Sequence, residues 1–189
     1  MMPPSLLLVP GLNGSGPGHW QAAWAATRSR CTMLVQDSWD DPWPARWTAR
    51  LDQAIAGLPG PVVLVAHSLG CATVAHWAAT HDDAGKRVAA ALLVAPCDVE
   101  RPGAPASIAR FQPMPRQILP FRSTVVASRN DPYATLGRAR GFADSWGSAF
   151  VDAGALGHIN AAAGLGDWPL GRILLDALLA AAGLRPATV

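Results

Sequence analysis

Residues 62–70 read Val-Val-Leu-Val-Ala-His-Ser-Leu-Gly and carry the strongest structural signal in the chain. The apolar run at 62–65 predicts a buried strand, and residues 71–78 predict a helix that begins directly after a sharp turn. Ser68 lies in that turn. A small-x-Ser-x-Gly turn between a strand and a helix is typical of a nucleophile elbow, which holds a serine hydroxyl above the edge of a sheet.

The turn differs in one position from a full Gly-x-Ser-x-Gly pattern, because Ala66 stands where the first glycine is usual. Alanine has the smallest side chain after glycine, so a tight turn is still feasible. A simpler interpretation is that Ser68 only caps the helix that follows, since serine is a favoured N-cap residue. The turn alone therefore does not distinguish a catalytic serine from a capping serine, and residues elsewhere in the chain have to do so.

Short apolar runs alternate with helical patterns along the chain. This alternation predicts a parallel sheet with right-handed crossovers and helices on both faces. We expect a three-layer α/β/α sandwich with a mostly parallel sheet of about six strands, as one domain over residues 1–189 without a separate cap domain. The proline-rich segment 96–120 is expected to be mainly loop and at most a flap near the site. The expected strands are 5–9, 31–35, 62–65, 88–95, 122–128 and 148–151, and the expected helices begin near 19, span 45–57, follow the turn to about 81, and span 133–146 and 167–182.

Two further polar residues follow predicted strands in an order that matters for catalysis. Asp131 comes after the strand at 122–128, and His158 comes after the strand at 148–151. Serine, acid and histidine in this chain order, each after a strand, are typical of an α/β-hydrolase triad. In this hypothesis His158 takes the proton of Ser68 during attack, and Asp131 fixes the ring tautomer of the histidine.

Each member of this triad has an alternative. Asp131 precedes a proline and could form a turn or cap the next helix. Asp98 is the main rival acid, because some hydrolases place the acid one strand away. His67 is adjacent to the serine in sequence, which makes it a poor triad base, and His158 could be a surface residue of its loop.

An acyl-transfer site also needs hydrogen-bond donors for the negative oxygen that develops during attack. The backbone N–H of Leu69 is expected to be one donor, because Leu69 follows the serine. The glycine-rich loop at 10–14 follows the first predicted strand and is expected to supply the second donor. We assign that second donor to the backbone N–H of Leu12, with Asn13 as the near alternative.

Three of the eight tryptophans cluster at 39–47, near the expected site. Trp39 and Trp43, together with Asn13, are candidate residues of a substrate pocket. The alternative is that the rings pack this segment onto the sheet. We favour packing for Trp47, since tryptophans are more often core residues than site residues.

The composition excludes several classes of protein. Half of the 189 residues are hydrophobic, 15% are charged, the formal net charge is +2, and the arginines are scattered. Nucleic-acid binding through a basic stripe is therefore not expected. Membrane insertion is not expected either, because no apolar run approaches the ~18 residues that a membrane span needs. Cys31, Cys71 and Cys97 lack metal-ligand spacing and suggest a reducing compartment. We expect no metal, no cofactor and a cytoplasmic location, with Cys71 as a packing residue.

A combination of short motifs is distributed over nearly the whole chain. The motifs are Pro-Gly after the first strand, Gly18-His19-Trp20 with Trp24, Gln36-Asp37 with Trp39 and Pro44, residues 66–70, Ser128-Asn130-Asp131-Pro132-Tyr133, and Gly157-His158-Ile159-Asn160. Together they resemble one family, the small α/β-hydrolase-fold serine hydrolases related to retinoblastoma-binding protein 9. The resemblance implies Ser68, Asp131 and His158 as the triad of an enzyme without a metal. The retinoblastoma-protein-binding pattern of the animal member, L-x-C-x-E, has no counterpart here, so that partner is not implied.

The serine turn, the order of the acid and the histidine, and the family resemblance together predict a carboxylesterase-like serine hydrolase that acts on a small ester substrate. Three alternatives stay open at this point: an acyltransferase, an amide or thioester hydrolase on the same site, and a non-catalytic binding protein with this fold. The sequence leaves the oligomeric state open, because no pattern in it bears on self-association.

Overall fold

Six parallel strands form one sheet in the computed structural model, which describes residues 2–185. The strands are β1 (Ser5–Val9), β2 (Cys31–Met33), β3 (Val62–His67), β4 (Val88–Val94), β5 (Arg122–Ala127) and β6 (Ala149–Asp152). Their spatial order is β2-β1-β3-β4-β5-β6, with every neighbouring pair parallel. The order reverses between β1 and β3, and ligands of open α/β sheets bind in the crevice at such a switch point.

Helices cover both faces of the sheet. They are α1 (Trp20–Thr27), α2 (Pro44–Ala56), α3 (Leu69–Thr80), α4 (Ala84–Arg87), α5 (Ala106–Ala109), α6 (Leu136–Trp146) and α7 (Pro169–Ala181), with a short 3-10 helix at Ala161–Ala163. One core lies between the sheet and α2, α3 and α6, and a second lies between the sheet and α1 and α7. The predicted three-layer architecture is confirmed, and no separate cap domain is present in residues 2–185. None of the described helices is long and apolar enough to cross a membrane.

The central strands are buried on both faces, because successive side chains of a strand point to opposite sides of the sheet. Leu7 and Leu64 belong to the core that includes α2 and α3, whereas their neighbours Leu6 and Val63 belong to the core that includes α1 and α7. All four side chains are buried. This double coverage explains why the strands are continuous apolar runs in the sequence and not alternating patterns.

Some boundaries differ from the expected ones. β2 ends at Met33, two residues early, and α6 begins at Leu136 because the Thr135 hydroxyl accepts a hydrogen bond (3.1 Å) from the Arg138 N–H and caps the helix there. The segment 96–120 is mainly loop, as expected, but contains α5. Neither α4 nor α5 was expected, since four-residue helices are too short to show helical periodicity.

The turn between β3 and α3 lies against the end of β1. A Cβ atom at Gly70 would overlap the carbonyl oxygen of Val9, and one at Gly11 would lie 2.8 Å from the Cβ of Ser68. Both positions therefore require glycine for space. The small residues around the serine bring the loop after β1 directly beside the serine.

We expect Gly70→Ala to lower the free energy of unfolding by about 3 kcal/mol, because the added methyl group meets backbone carbonyls of β1 and the loop that follows it. Gly141→Ala is the matched control. That glycine also lies inside a helix, but nothing lies within 4 Å of the added carbon, so we expect a gain of about 1 kcal/mol. Urea unfolding followed by circular dichroism measures both changes. Equal stability of Gly70→Ala and the unsubstituted protein would contradict the close approach.

Candidate active site

Ser68 adopts a backbone conformation that non-glycine residues seldom occupy, with φ 54° and ψ −120°. Its N–H donates to the carbonyl oxygen of Val94, the last residue of β4, at 3.0 Å. The hydroxyl makes no capping hydrogen bond to α3, although the residue stands at the N-cap position. Instead, Oγ lies 2.8 Å from Nε2 of His158. The capping interpretation of this serine is therefore wrong, and its hydroxyl is available for chemistry.

The structure brings the other two predicted residues to this serine. The second ring nitrogen of His158, Nδ1, lies 2.8 Å from one carboxylate oxygen of Asp131 and 3.0 Å from the other. The Asp131 carboxylate also accepts a hydrogen bond (2.8 Å) from the N–H of Tyr133. Both interacting side chains are largely buried, with 8% of His158 and 3% of Asp131 exposed. This arrangement fixes the carboxylate and orients the imidazole toward Ser68.

The rival acid lies elsewhere. Asp98 forms an ion pair with Arg138 (2.9 Å) and accepts a hydrogen bond from the N–H of Glu100 (3.0 Å). Its carboxylate is therefore held by partners of its own. The geometry favours Asp131 over Asp98 as the partner of the histidine.

Two polar side chains join the loop of the acid to the loop of the histidine. The Asn130 side-chain oxygen accepts hydrogen bonds from the Ser128 hydroxyl (2.9 Å) and from the N–H of Gly157 (2.7 Å). The Ser128 hydroxyl in turn accepts from the N–H of Leu156 at 2.9 Å. These hydrogen bonds fix the two loops relative to each other, which keeps the Asp131 carboxylate next to the His158 imidazole.

The backbone of the histidine loop is held from the opposite side. Nε2 of His67 donates to the carbonyl oxygen of His158 at 2.9 Å, and the indole N–H of Trp20 donates to the carbonyl oxygen of Ile159 at 2.8 Å. Both donors are buried. His67 and Trp20 thus position the base, a role that the sequence analysis did not predict for either residue.

His19 and His67 lie next to the catalytic candidate and stay neutral at ordinary pH. The rings of His19 and His67 are 4.8 Å apart, and those of His67 and His158 are also 4.8 Å apart. Burial, together with the nearby His158, lowers the pKa of His19 to about 4 and holds the pKa of His67 well below its usual range. His19 and His67 therefore add no positive charge to this row of three rings at neutral pH.

The expected oxyanion donors flank the serine. Leu69 is the first residue of α3, where backbone N–H groups have no partner within the helix, and Leu12 lies in the loop after β1. Both residues line the same cavity as Ser68. The N–H of Asn13 donates to the carbonyl oxygen of Trp39 at 2.9 Å, so Asn13 is not available as the alternative backbone donor. The arrangement favours Leu12 for the second position.

A cavity of about 400 Å³ opens above the serine. Its walls come from the loop after β1, the histidine loop and the segment 96–120, which contributes Arg101, Pro105 and Ile108. Asn13 also lines the cavity, and its role as a pocket residue stays a prediction. The proline-rich segment thus forms part of the cavity wall.

Trp39 and Trp43 are not among the residues that line this cavity, so the structure gives no support to their assignment as pocket residues, which stays a prediction. The Trp39 ring packs behind the loop after β1, 3.3 Å from where a Cβ of Gly14 would lie. The Trp43 side chain is 45% exposed and stacks on the Arg110 guanidinium at 4.2 Å. Sequence proximity to the site did not reveal the direction in which either ring points.

Two cysteines lie near the serine without competing with it. Cys97 is buried, lines the cavity and has a pKa raised to about 12, mainly by burial. Burial also raises the pKa of Cys71 well above its usual range. Both therefore remain thiols and are poor nucleophiles at neutral pH. Within residues 2–185, no group of three His, Cys, Asp or Glu side chains is arranged to hold a metal ion.

The sequence analysis assigned no role to several residues around the site. Ser128, Asn130 and Tyr133 flank Asp131 in one motif, so the sequence did indicate that they lie near this aspartate. Arg101 lies in a proline-rich segment without periodicity, where nothing in the sequence indicates that its side chain enters the cavity. Only the folded chain shows that contribution.

Comparison with known proteins identifies the family to which this chain belongs. The chain belongs to the serine hydrolase family, whose model matches residues 6–177. The predicted membership of a small serine hydrolase family of α/β-hydrolase fold is confirmed, while the narrower relation to retinoblastoma-binding protein 9 stays a prediction. No curated protein shows a significant match to the sequence.

Solved structures share the fold over nearly the whole chain. A YdeN-like hydrolase from Pectobacterium atrosepticum is 29% identical, with a TM-score of 0.83 over 95% of this chain and 92% of its own. The ydeN gene product of B. subtilis is 18% identical, with a TM-score of 0.80 over 95% of this chain and 100% of its own. A thermophilic esterase from Thermogutta terrifontis is 16% identical, with a TM-score of 0.67 over 96% and 91%.

The lowered pKa of His19 predicts a pH-dependent stability. Unfolded His19 takes up a proton near pH 6.5, whereas the folded residue resists protonation down to about pH 4. The unfolded state therefore binds more protons between these values, and stability falls as the pH drops through this window.

We expect His19→Asn to reduce the loss of unfolding free energy between about pH 7 and about pH 4.5 by about 2 kcal/mol. Asparagine keeps an oxygen that can accept the capping hydrogen bond which the N–H of Gln21 now donates to Nδ1 of His19 (3.1 Å). Urea titrations across this pH range measure the change. Identical pH slopes for the variant and the unsubstituted protein would contradict a buried neutral His19.

Proposed function

We propose that this protein is a carboxylesterase-like serine hydrolase that cleaves small esters through an acyl-enzyme on Ser68. The observation that carries the proposal is the unbroken hydrogen-bonded series from the serine hydroxyl through His158 to Asp131, with both contacts at 2.8 Å, beside a cavity of about 400 Å³. Family membership supports hydrolysis, and the esterase among the structural neighbours supports an ester as substrate. A cytoplasmic location and a single domain over 1–189 stay predictions.

In the first half of the reaction, Oγ of Ser68 attacks the carbonyl carbon of the ester while Nε2 of His158 takes the hydroxyl proton. Asp131 stabilises the imidazolium that forms and keeps Nδ1 protonated. The backbone N–H groups of Leu12 and Leu69 donate to the negative carbonyl oxygen. Collapse of this intermediate breaks the ester bond, and the imidazolium gives its proton to the leaving alcohol.

In the second half, water replaces the alcohol. His158 takes a proton from the water molecule as its oxygen attacks the acyl carbon, and the same oxyanion donors act again. Collapse returns the proton to Oγ of Ser68 and releases a carboxylic acid. The neutral His19 and His67 support this cycle, because neither places a second positive charge beside the imidazolium.

Covalent labelling tests the nucleophile. We expect a fluorophosphonate probe to give one adduct on Ser68, located by intact mass and peptide mapping, because His158 activates this hydroxyl. Ser68→Ala should give no adduct, and short p-nitrophenyl esters should then report the preferred acyl group. Folded protein without an adduct would overturn the hydrolase proposal in favour of a non-catalytic binding protein.

A comparison of two carboxylates tests the acid. We expect Asp131→Asn to lower kcat/KM for p-nitrophenyl acetate by about a thousand-fold or more, because the amide no longer fixes the required tautomer. Asp98→Asn is the matched control and should stay within about threefold of the unsubstituted protein, since Asp98 pairs with Arg138 and not with the histidine. The reverse result would assign the acid to Asp98.

A further inference from the structure

Arg101 is the one permanently charged side chain among the residues that line the cavity above Ser68 in the described chain. No aspartate or glutamate lines this cavity. His19 and His67, which do line it, have pKa values lowered by burial and are neutral at pH 7. Arg101 is therefore the one fixed charge that the cavity lining presents to a bound molecule.

The guanidinium of Arg101 lacks the partner that comparable arginines have. Within residues 2–185, no carboxylate lies within ion-pair distance of it, and its Nε is buried without a hydrogen-bond acceptor. Arg87 and Arg138, which are also partly buried, each bind an aspartate, Asp52 and Asp98 respectively. A partly buried cation without a counter-ion is unfavourable, so a ligand that supplies an anion would gain binding energy there.

The position of Arg101 places this charge beside the reacting groups. Its guanidinium carbon lies 5.5 Å from the centre of the Tyr133 ring, and that ring is 4.5 Å from the ring of His158. Arg101 is therefore separated from the candidate base by a single aromatic side chain. Arg101 and Ser68 line the same cavity, so one molecule of suitable length can contact both.

We propose that Arg101 selects substrates that carry a carboxylate in addition to the ester that is cleaved. This inference rests on the proposed function and adds the substrate class. A guanidinium offers two parallel N–H donors that match the two oxygens of a carboxylate. A single cation also balances a monoanion, whereas a phosphate dianion would call for a second positive group. The carboxylate belongs to either the alcohol half or the acyl half of the ester.

Two matched pairs of esters test the proposal and distinguish the two halves. For the alcohol half, 3-carboxyphenyl acetate is compared with the neutral 3-carbamoylphenyl acetate. For the acyl half, 4-nitrophenyl hydrogen adipate is compared with the neutral adipamate. Each kcat/KM is divided by the rate of hydroxide-catalysed hydrolysis of the same ester, which removes differences in intrinsic reactivity.

We expect the carboxylate ester of at least one pair to be preferred by about 10- to 100-fold, as for a hydrogen bond to a charged group. Arg101→Gln should abolish that preference, which is measured as the ratio of kcat/KM values within each pair. Arg101→Lys should restore part of it. Arg122→Gln is the control for net charge, because Arg122 is exposed at the amino end of β5, away from the catalytic edge. Its preference should match that of the unsubstituted protein.

Absence of a preference in both pairs, or a preference that survives in Arg101→Gln, would overturn the proposal. Binding measurements separate this failure from failure of the esterase proposal. Isothermal titration of Ser68→Ala with the preferred carboxylate ester should show binding that is weakened about tenfold or more by Arg101→Gln. If the fluorophosphonate labels Ser68 but Arg101→Gln changes neither turnover nor binding, hydrolysis stands and the carboxylate specificity is rejected.

Discussion

The backbone of α3 passes so close to β1 that a side chain at Gly70 would overlap the carbonyl oxygen of Val9. The contact between α3 and β1 lies where the strand order reverses, so the loop after β1 and the turn after β3 lie at the same edge of the sheet. Gly11 allows that loop to lie against Ser68, and Leu12 thereby reaches the cavity beside Leu69. The strained conformation of the serine is held by the same packing, and the geometry of attack depends on it.

Polar contacts from three parts of the chain hold the histidine in place. Asn130 ties its loop to the loop of the acid, while His67 and Trp20 bind the backbone carbonyls of residues 158 and 159. Burial keeps the His67 ring neutral, and the carbonyl acceptor selects the tautomer with the proton on Nε2. These contacts hold His158 in one orientation before a substrate binds, as expected for a preorganised site.

The sequence predicted the architecture, and it singled out Ser68, Asp131 and His158, which the structure brings together, because each signal is local. Continuous apolar runs mark strands covered on both faces, and a polar residue after such a run lies at the carboxyl edge of a parallel sheet. Trp39 and Trp43 do not line the cavity, because nearness in sequence does not give the direction of a side chain. Arg101 was missed because its segment has no periodicity that relates it to the sheet.

Residues 62–70 and the motifs around Asp131 and His158 determined, without coordinates, that the chain forms an α/β sandwich with a serine turn followed by an acid and a base. Strand periodicity and chain order are properties of the linear sequence. The pairing of Asp98 with Arg138, the neutral state of the buried His19 and His67, and the place of Arg101 in the cavity lining were decided by tertiary structure alone. Those features depend on distances and burial between residues far apart in the chain, which a linear pattern does not encode.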